Sequence, residues 1–241
     1  MAVMSTLYFI RHGQASFGKS DYDALSPVGE LQSRLLADYL LSHHIHFDAI
    51  LVGPQQRHRQ TAGPLIEACM RKGNSGAEPE VIESPEMAEY DFASVLKELI
   101  PLMAEENEAF NRDAGLMFTD RKAFQRLFEA VMLRWVNGDH HLPVEMTWAA
   151  FKARVSHGVE TLMARYGRGK NVAVFTSGGP ISATIQEVLG LSDAMAMQVN
   201  WQVVNGSMTR FKCTHEKIMM ASFNEYPWLE MHADREIITY R

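Results

Sequence analysis

Leu7-Tyr8-Phe9-Ile10-Arg11-His12-Gly13-Gln14 is an apolar run that passes straight into an Arg-His-Gly turn. Thr6 to Ile10 reads as a short β-strand. The turn then sets a guanidinium and an imidazole side by side at the strand's carboxyl end, which is where ligands bind in an open α/β sheet. A guanidinium is a planar fork suited to phosphate. An imidazole there serves as a nucleophile, an acid or base, or a metal ligand. Taken alone, the tripeptide also reads as a chance Arg-His pair at a strand end.

The rest of the chain supplies the context. Residues 11–26 carry Gly13, Gly18, Asp21 and Asp23 and read as loop. Ser26-Pro27 opens a helix, with Ser as N-cap and Pro at the first position. Val28, Leu31, Leu35 and Tyr39 give that helix one apolar stripe. Asp48 to Val52 is a second strand ended by Gly53-Pro54, and a helical segment follows with Pro64 as its kink or its true start. Lys72 to Pro79 reads as a linker, and Val81-Ile82 as a weak third strand. Residues 92–143 break the alternation with two helices expected near 93–111 and 120–137. Thr147 starts a strong helix striped by Trp148, Phe151, Val155, Val159, Leu162 and Tyr166, ended by Gly167 and Gly169. Val172 to Phe175 has no polar alternation, as in a parallel strand covered on both faces. It runs into Thr176-Ser177-Gly178-Gly179-Pro180 and a helix to Leu189 closed by Gly190. Strands near 207–213 and 217–223 suggest a hairpin at a sheet edge.

This alternation predicts one α/β domain over residues 1–241: a three-layer sandwich with a mostly parallel central sheet, a C-terminal edge hairpin, and a helical insertion at about 92–143 that caps the sheet. With 241 residues, 46% of them hydrophobic and 22% charged, the chain can bury one good core. A net charge of −6 argues against nucleic acid or an anionic membrane as the main partner, though not against a small anion. The two cysteines, Cys69 and Cys213, are far apart and lack metal-ligand spacing, so a reduced cytoplasmic setting is expected. No stretch approaches the roughly 20 apolar residues of a membrane span. Met1 to Ile10 is too short for a signal peptide and lacks a basic start. Oligomeric state is not legible.

Parallel neighbours would bring three strand ends into one crevice: Arg11-His12-Gly13, Gly53 to Arg57, and Thr176 to Gly179. Two guanidiniums, Arg11 and Arg57, and a helix N-terminus at Pro180 would suit a dianion such as phosphate. Glu89, just after the third strand, is a fourth candidate. Arg59 and His58 read as surface positions of their helix, Arg154 as structural, and Asn205 as a turn residue. His43, His44 and His46 fit a solvated helix end better than a metal site. Phe110, Phe118, Phe124, Phe128 and Trp135 of the insertion read mostly as core.

The chain resembles the histidine phosphatase superfamily, the phosphoglycerate mutase-like group. The matching residues are Arg11-His12-Gly13-Gln14, Leu25-Ser26-Pro27-Val28-Gly29-Glu30-Leu31-Gln32, Arg57-His58-Arg59-Gln60-Thr61-Ala62, Glu89, the Glu145 to Val155 run, and Gly178-Gly179. The resemblance implies a metal-independent, cofactor-free phosphatase in which His12 attacks the phosphoryl group and becomes phosphohistidine. Arg11 and Arg57 would bind the phosphate oxygens, beside Gly13, Gln14, Ser177 and Gly178. Glu89 would protonate the leaving oxygen and then help activate water, and Ser16, Phe17 and Lys19 would touch the substrate from the first loop. The substrate would be a small phosphorylated metabolite or a phosphoprotein. The physical chemistry agrees: a nucleophilic His must be neutral, nearby guanidiniums favour that form, and phosphoryl transfer is mostly positioning and charge stabilisation.

Two departures leave alternatives. The resemblance implies a second histidine where this chain has Ser177, which donates a hydrogen bond but carries no positive charge. The chain is therefore an active enzyme with an altered phosphate cradle, a weak one, or a phospho-ligand-binding module without turnover. Mutases of the group carry a Trp and an Asn soon after the Arg-His-Gly turn, where this chain has Ala15-Ser16-Phe17-Gly18-Lys19. Phosphatase is therefore preferred over phosphoglycerate-type phosphomutase.

Overall fold

In chain order the elements are β1 (Ser5–Arg11), α1 (Pro27–Ser42), β2 (Ala49–Val52), α2 (Gln56–Arg71), β3 (Glu80–Glu83), α3 (Phe92–Glu106), α4 (Glu108–Leu116) and α5 (Arg121–Asn137). They continue with α6 (Trp148–Tyr166), β4 (Asn171–Thr176), α7 (Gly178–Leu189), α8 (Asp193–Gln202), β5 (Met208–Cys213), β6 (Ile218–Glu225) and α9 (Pro227–Glu230). This computed structural model describes residues 3–16, 23–71, 78–117 and 119–240. Phe17, Gly18, Lys19 and Asp21, most of the expected linker, and Phe118 lie outside the described residues.

The strands form one sheet in the order β3-β2-β4-β1-β5-β6. β3, β2, β4 and β1 run parallel, and the β5-β6 hairpin adds antiparallel strands at one edge. Val172 to Phe175 of β4 are wholly inaccessible, as expected of a parallel strand covered on both faces. The period-two alternation sorts side chains to two cores. Leu7, Phe9, Val172 and Val174 pack with α6 and the 92–143 helices, while Tyr8, Ile10, Ala173 and Phe175 pack with α1, α2 and α9. The predicted α6 stripe is buried along its whole length. All four parallel strands therefore deliver their carboxyl ends to the same rim.

Several local signals act as expected. Ser26 caps α1, its hydroxyl accepting from the Gly29 N–H at 3.1 Å. Gly190 ends α7 in the left-handed conformation, at φ 66°. Other readings are corrected. Pro64 neither begins nor ends α2, which starts at Gln56 and runs through it. The helix expected at 93–111 is two, because the Asn107 carboxamide caps α4 by accepting from the N–H groups of Ala109 and Phe110. α7 starts at Gly178 rather than Pro180. α8 was not foreseen: its buried residues are only Ala196, Met197 and Asn200, too few for a stripe. In the insertion Trp135 is fully buried, while Phe110, Phe124 and Phe128 are only partly so.

Candidate active site

β1 hands its last residue, Arg11, to the rim beside Thr176 of β4. The next backbone step is fixed on both sides. The His12 N–H donates to Thr176 O at 2.9 Å, and the His12 carbonyl accepts from the Gly206 N–H at 3.1 Å and from Asn205 Nδ2 at 3.3 Å. The Gly13 N–H donates to the Thr61 hydroxyl at 3.0 Å, which in turn donates to the Arg57 carbonyl. Gly13 is required here by close approach: a Cβ at this position would sit 2.5 Å from the Gly29 carbonyl.

The His12 ring is nearly buried, and its Nδ1 lies 2.6 Å from the Gly13 carbonyl. A carbonyl only accepts, so Nδ1 carries the proton and Nε2 keeps its lone pair. Burial, then Arg57 and Arg11 beside it, hold His12 well below its ordinary value, so the ring is neutral at physiological pH. Arg57 is buried in the first turn of α2, and its guanidinium pairs with the Asp23 carboxylate at 2.6 Å. The Arg11 guanidinium donates to the Val203 carbonyl.

Glu89 reaches the same crevice from the segment after β3. Arg154 shapes that segment by donating to the carbonyls of Pro85, Glu86 and Ala88, the structural part expected of it. One Glu89 oxygen accepts from the Gly179 N–H at 3.2 Å, and the other from the Tyr90 N–H at 3.1 Å. Burial raises its carboxyl above the ordinary value, against the pull of Arg57. Gly179 is the second glycine imposed by the site, since a Cβ there would lie 2.0 Å from Glu89 Oε1.

Ser177 sits one residue past β4, fully buried, at the N-cap position of α7. Its hydroxyl does not cap that helix; it lies 2.7 Å from Nε2 of His58. His58 is therefore no surface residue, as the sequence had suggested, but wholly inaccessible, its ring centre 5.7 Å from that of His12. Burial, then the neighbouring Arg57, push it down to about 3.

Arg11, His12, Gly13, Arg57, Glu89, Ser177 and Gly178 thus share one rim. Gln14 turns aside: its backbone N–H donates to Gln32 and its side-chain oxygen accepts from the Ser26 hydroxyl. Arg59 pairs with Glu83 on the surface, and His43, His44 and His46 lie exposed at the end of α1. Asn205 lies in a turn and also holds the His12 carbonyl. Ser16 is buried and donates to the Leu25 carbonyl. Asp23 and His58 are the site residues that the sequence did not single out.

Beside the turn opens a cleft of about 590 Å³, lined by Gln14, Gln125, Glu129, Trp201, Gln202 and Tyr240 among others. No described lining residue is Lys or Arg. Among the described residues no three His, Cys, Asp or Glu side chains are grouped to hold a metal ion, and no helix is long and apolar enough to cross a membrane.

The histidine phosphatase superfamily (branch 1) profile matches residues 7–114 and 107–226. Among solved structures, the chain is similar to phosphoserine phosphatase from Entamoeba histolytica in complex with 3-phosphoglyceric acid, with TM-score 0.63, 20% identity, and coverage of 94% of this chain and 100% of that one. It is similar to phosphoglycerate mutase from Bacillus anthracis, with TM-score 0.61, 17% identity, and coverage of 94% and 96%. A third likeness is to a putative α-ribazole-5′-P phosphatase from Escherichia coli, with TM-score 0.58, 18% identity, and coverage of 94% and 98%. At these identities the likeness is one of fold. An uncharacterized protein of Picosynechococcus sp. is 35% identical over 81 residues, which are 32% of this chain and 46% of that protein, so the match spans about half the relative's length.

Proposed function

This chain belongs to the histidine phosphatase superfamily, and on that premise we propose that it is a metal-independent phosphomonoesterase working through phosphohistidine on His12. One observation carries the reading: Nδ1 of a neutral, buried His12 is committed to the Gly13 carbonyl, leaving the Nε2 lone pair for attack. In the first step Nε2 bonds to phosphorus and the ester P–O bond breaks. The leaving oxygen takes the proton of the Glu89 carboxylic acid, a form that burial favours by raising the carboxyl above its ordinary value. In the second step Glu89, now a carboxylate, accepts a proton from water as the water oxygen attacks phosphorus. The P–N bond breaks, returning neutral His12 and inorganic phosphate. Arg11 and Arg57 stabilise the charge that spreads over the equatorial oxygens.

The cleft beside Gln14 supports a phosphatase over a phosphoglycerate-type mutase. Its described lining offers carboxamides, two aromatic rings and the Glu129 carboxylate, which repels a second anionic group. A polar leaving group without further negative charge, from a small metabolite or an exposed phosphoresidue, suits it.

Hydrolysis of p-nitrophenyl phosphate in the presence of EDTA tests the proposal. Wild type is expected to turn over and His12→Ala to lose at least about a thousandfold. Phosphate binding without turnover of any phosphomonoester would instead make the chain a phospho-ligand-binding module.

A further inference from the structure

The cleft beside Gln14 is tied to the His12 turn by two wholly inaccessible carboxamides, Gln32 and Asn205. Gln32 accepts from the Gln14 N–H at 2.8 Å, and its Nε2 donates to the Ile237 carbonyl at 2.6 Å and to the Thr239 hydroxyl at 3.0 Å. Asn205 donates to the His12 carbonyl at 3.3 Å and accepts from the Thr239 hydroxyl at 3.0 Å. Its backbone N–H donates to the Thr239 carbonyl at 2.8 Å. Thr239, which lines the cleft, is thus separated from His12 by the single residue Asn205. Gln14, which also lines it, follows His12 by two residues, a span of about 7 Å at most. A leaving group on a phosphoryl held by His12 therefore has this cleft within reach.

The rest of the lining comes from α5 and the end of α8. Gln125 and Glu129 are four apart and share one face of α5, while Trp201 and Gln202 close α8. The three glutamines are neutral, so Glu129 carries the formal charge of the described lining. The arginines nearest to it on its own helix are engaged elsewhere. Arg126 pairs with Asp113 at 2.6 Å, and Arg134 pairs with Glu106. A carboxylate beside a Trp and a Tyr ring attracts a soft cation twice, through its charge and through the negative ring faces. A leaving group with its own carboxylate meets repulsion there, and a neutral one gains ring contact alone.

We infer that the phosphomonoesters this site selects carry an ammonium group on the leaving side, and that Glu129, with the rings of Trp201 and Tyr240, receives it. The inference rests on the reading of the chain as a phosphomonoesterase acting through His12. Glu129 determines specificity and touches no reacting atom. No bond forms or breaks at it and no proton moves through it. The ammonium keeps its charge throughout and departs with the alcohol when the P–O bond breaks. Arg11 and Arg57 hold the anionic end of such a substrate and Glu129 the cationic end, so the site discriminates by charge at both ends.

Phosphocholine and neohexyl phosphate test this on the full chain. They share a shape but not a charge, because a carbon replaces the quaternary nitrogen in the second. Their alcohols differ in acidity, so the readout is the ratio of their kcat/KM values compared between wild type and variants, in which that difference cancels. A charge contact supported by ring faces corresponds to about a tenfold preference. The ratio of phosphocholine to neohexyl phosphate should fall by about tenfold in Glu129→Gln and further in Glu129→Lys. Glu129 is exposed on α5, so both variants keep the fold. A ratio that stays within about threefold of wild type in both variants overturns the inference. A wild type that hydrolyses p-nitrophenyl phosphate but not phosphocholine also overturns it, and leaves the phosphatase reading standing. Failure of the wild type on every phosphomonoester removes that reading itself, and the inference with it.

Discussion

At the scale of single residues, opposed environments separate the two titrating groups of the site. His12 is held low by burial and two guanidiniums, whereas Glu89 is held high by burial. The proposed chemistry needs His12 deprotonated and Glu89 protonated. kcat/KM should therefore rise with pH through a His12 value below 6.5 and fall with pH through a Glu89 value above 4.5, giving a bell. Profiles of wild type and Glu89→Gln check this: the alkaline limb should disappear in the variant, and its persistence would remove Glu89 from the acid role. Gly179→Ala is a geometric test of the same carboxylate, because the new Cβ would displace Glu89 Oε1. It should cost about 10²–10⁴ in kcat on an alkyl phosphate, and less on p-nitrophenyl phosphate, whose leaving group needs little protonation. Much of this site was legible in the chain. Arg11, His12 and the glycines stand at strand ends where the apolar run stops, and Glu89 follows the third strand. His58 was not, although a signal existed. It shares 3–4 spacing with Thr61, Ala62 and Leu65, all buried, but two flanking arginines disguise the stripe.

At the scale of elements, helix ends carried the clearest information. Ser26, Thr147 and Gly190 act as the caps their identities suggest. Ser26 does more than cap: its hydroxyl also donates to Gln14 Oε1 at 2.8 Å, tying the start of α1 to the loop after His12. Ser26→Ala should cost about 1 kcal/mol of stability, read by denaturant unfolding. A change below a few tenths would mean that solvent replaces the cap. The misread elements have physical causes. Asn107 splits one expected helix because its carboxamide competes for the next helix's N–H groups, a local choice that hydrophobic periodicity does not record. α2 accepts Pro64, and α3 accepts Pro101, inside their spans, where a proline alone would suggest a boundary.

At the scale of the whole molecule, the inserted helices are joined to the sheet domain by rings. Trp135 of α5 stands 4.8 Å from Tyr90 and 5.4 Å from Trp148, and Tyr90 stands 5.5 Å from Phe151. Tyr90 directly follows Glu89, so this cluster backs the proposed acid. Trp135→Ala should destabilise by about 3–5 kcal/mol and lower Tm by roughly 10 °C in a single transition. A separate early transition would show that the inserted helices melt on their own. The cradle around His12 has a further consequence, for the order in which the molecule comes together. Its hydrogen bonds join residues far apart in the chain: Gly13 to Thr61 across 48 positions, Glu89 to Gly179 across 90, His58 to Ser177 across 119, and His12 to Asn205 across 193. Helices such as α1 and α6 form from local contacts, whereas these bonds between the parts of the crevice do not, and long-range pairing is the slow part of folding. On refolding, helical signal should return first and the capacity to hold an oxyanion last, and no fragment lacking β4 should possess it.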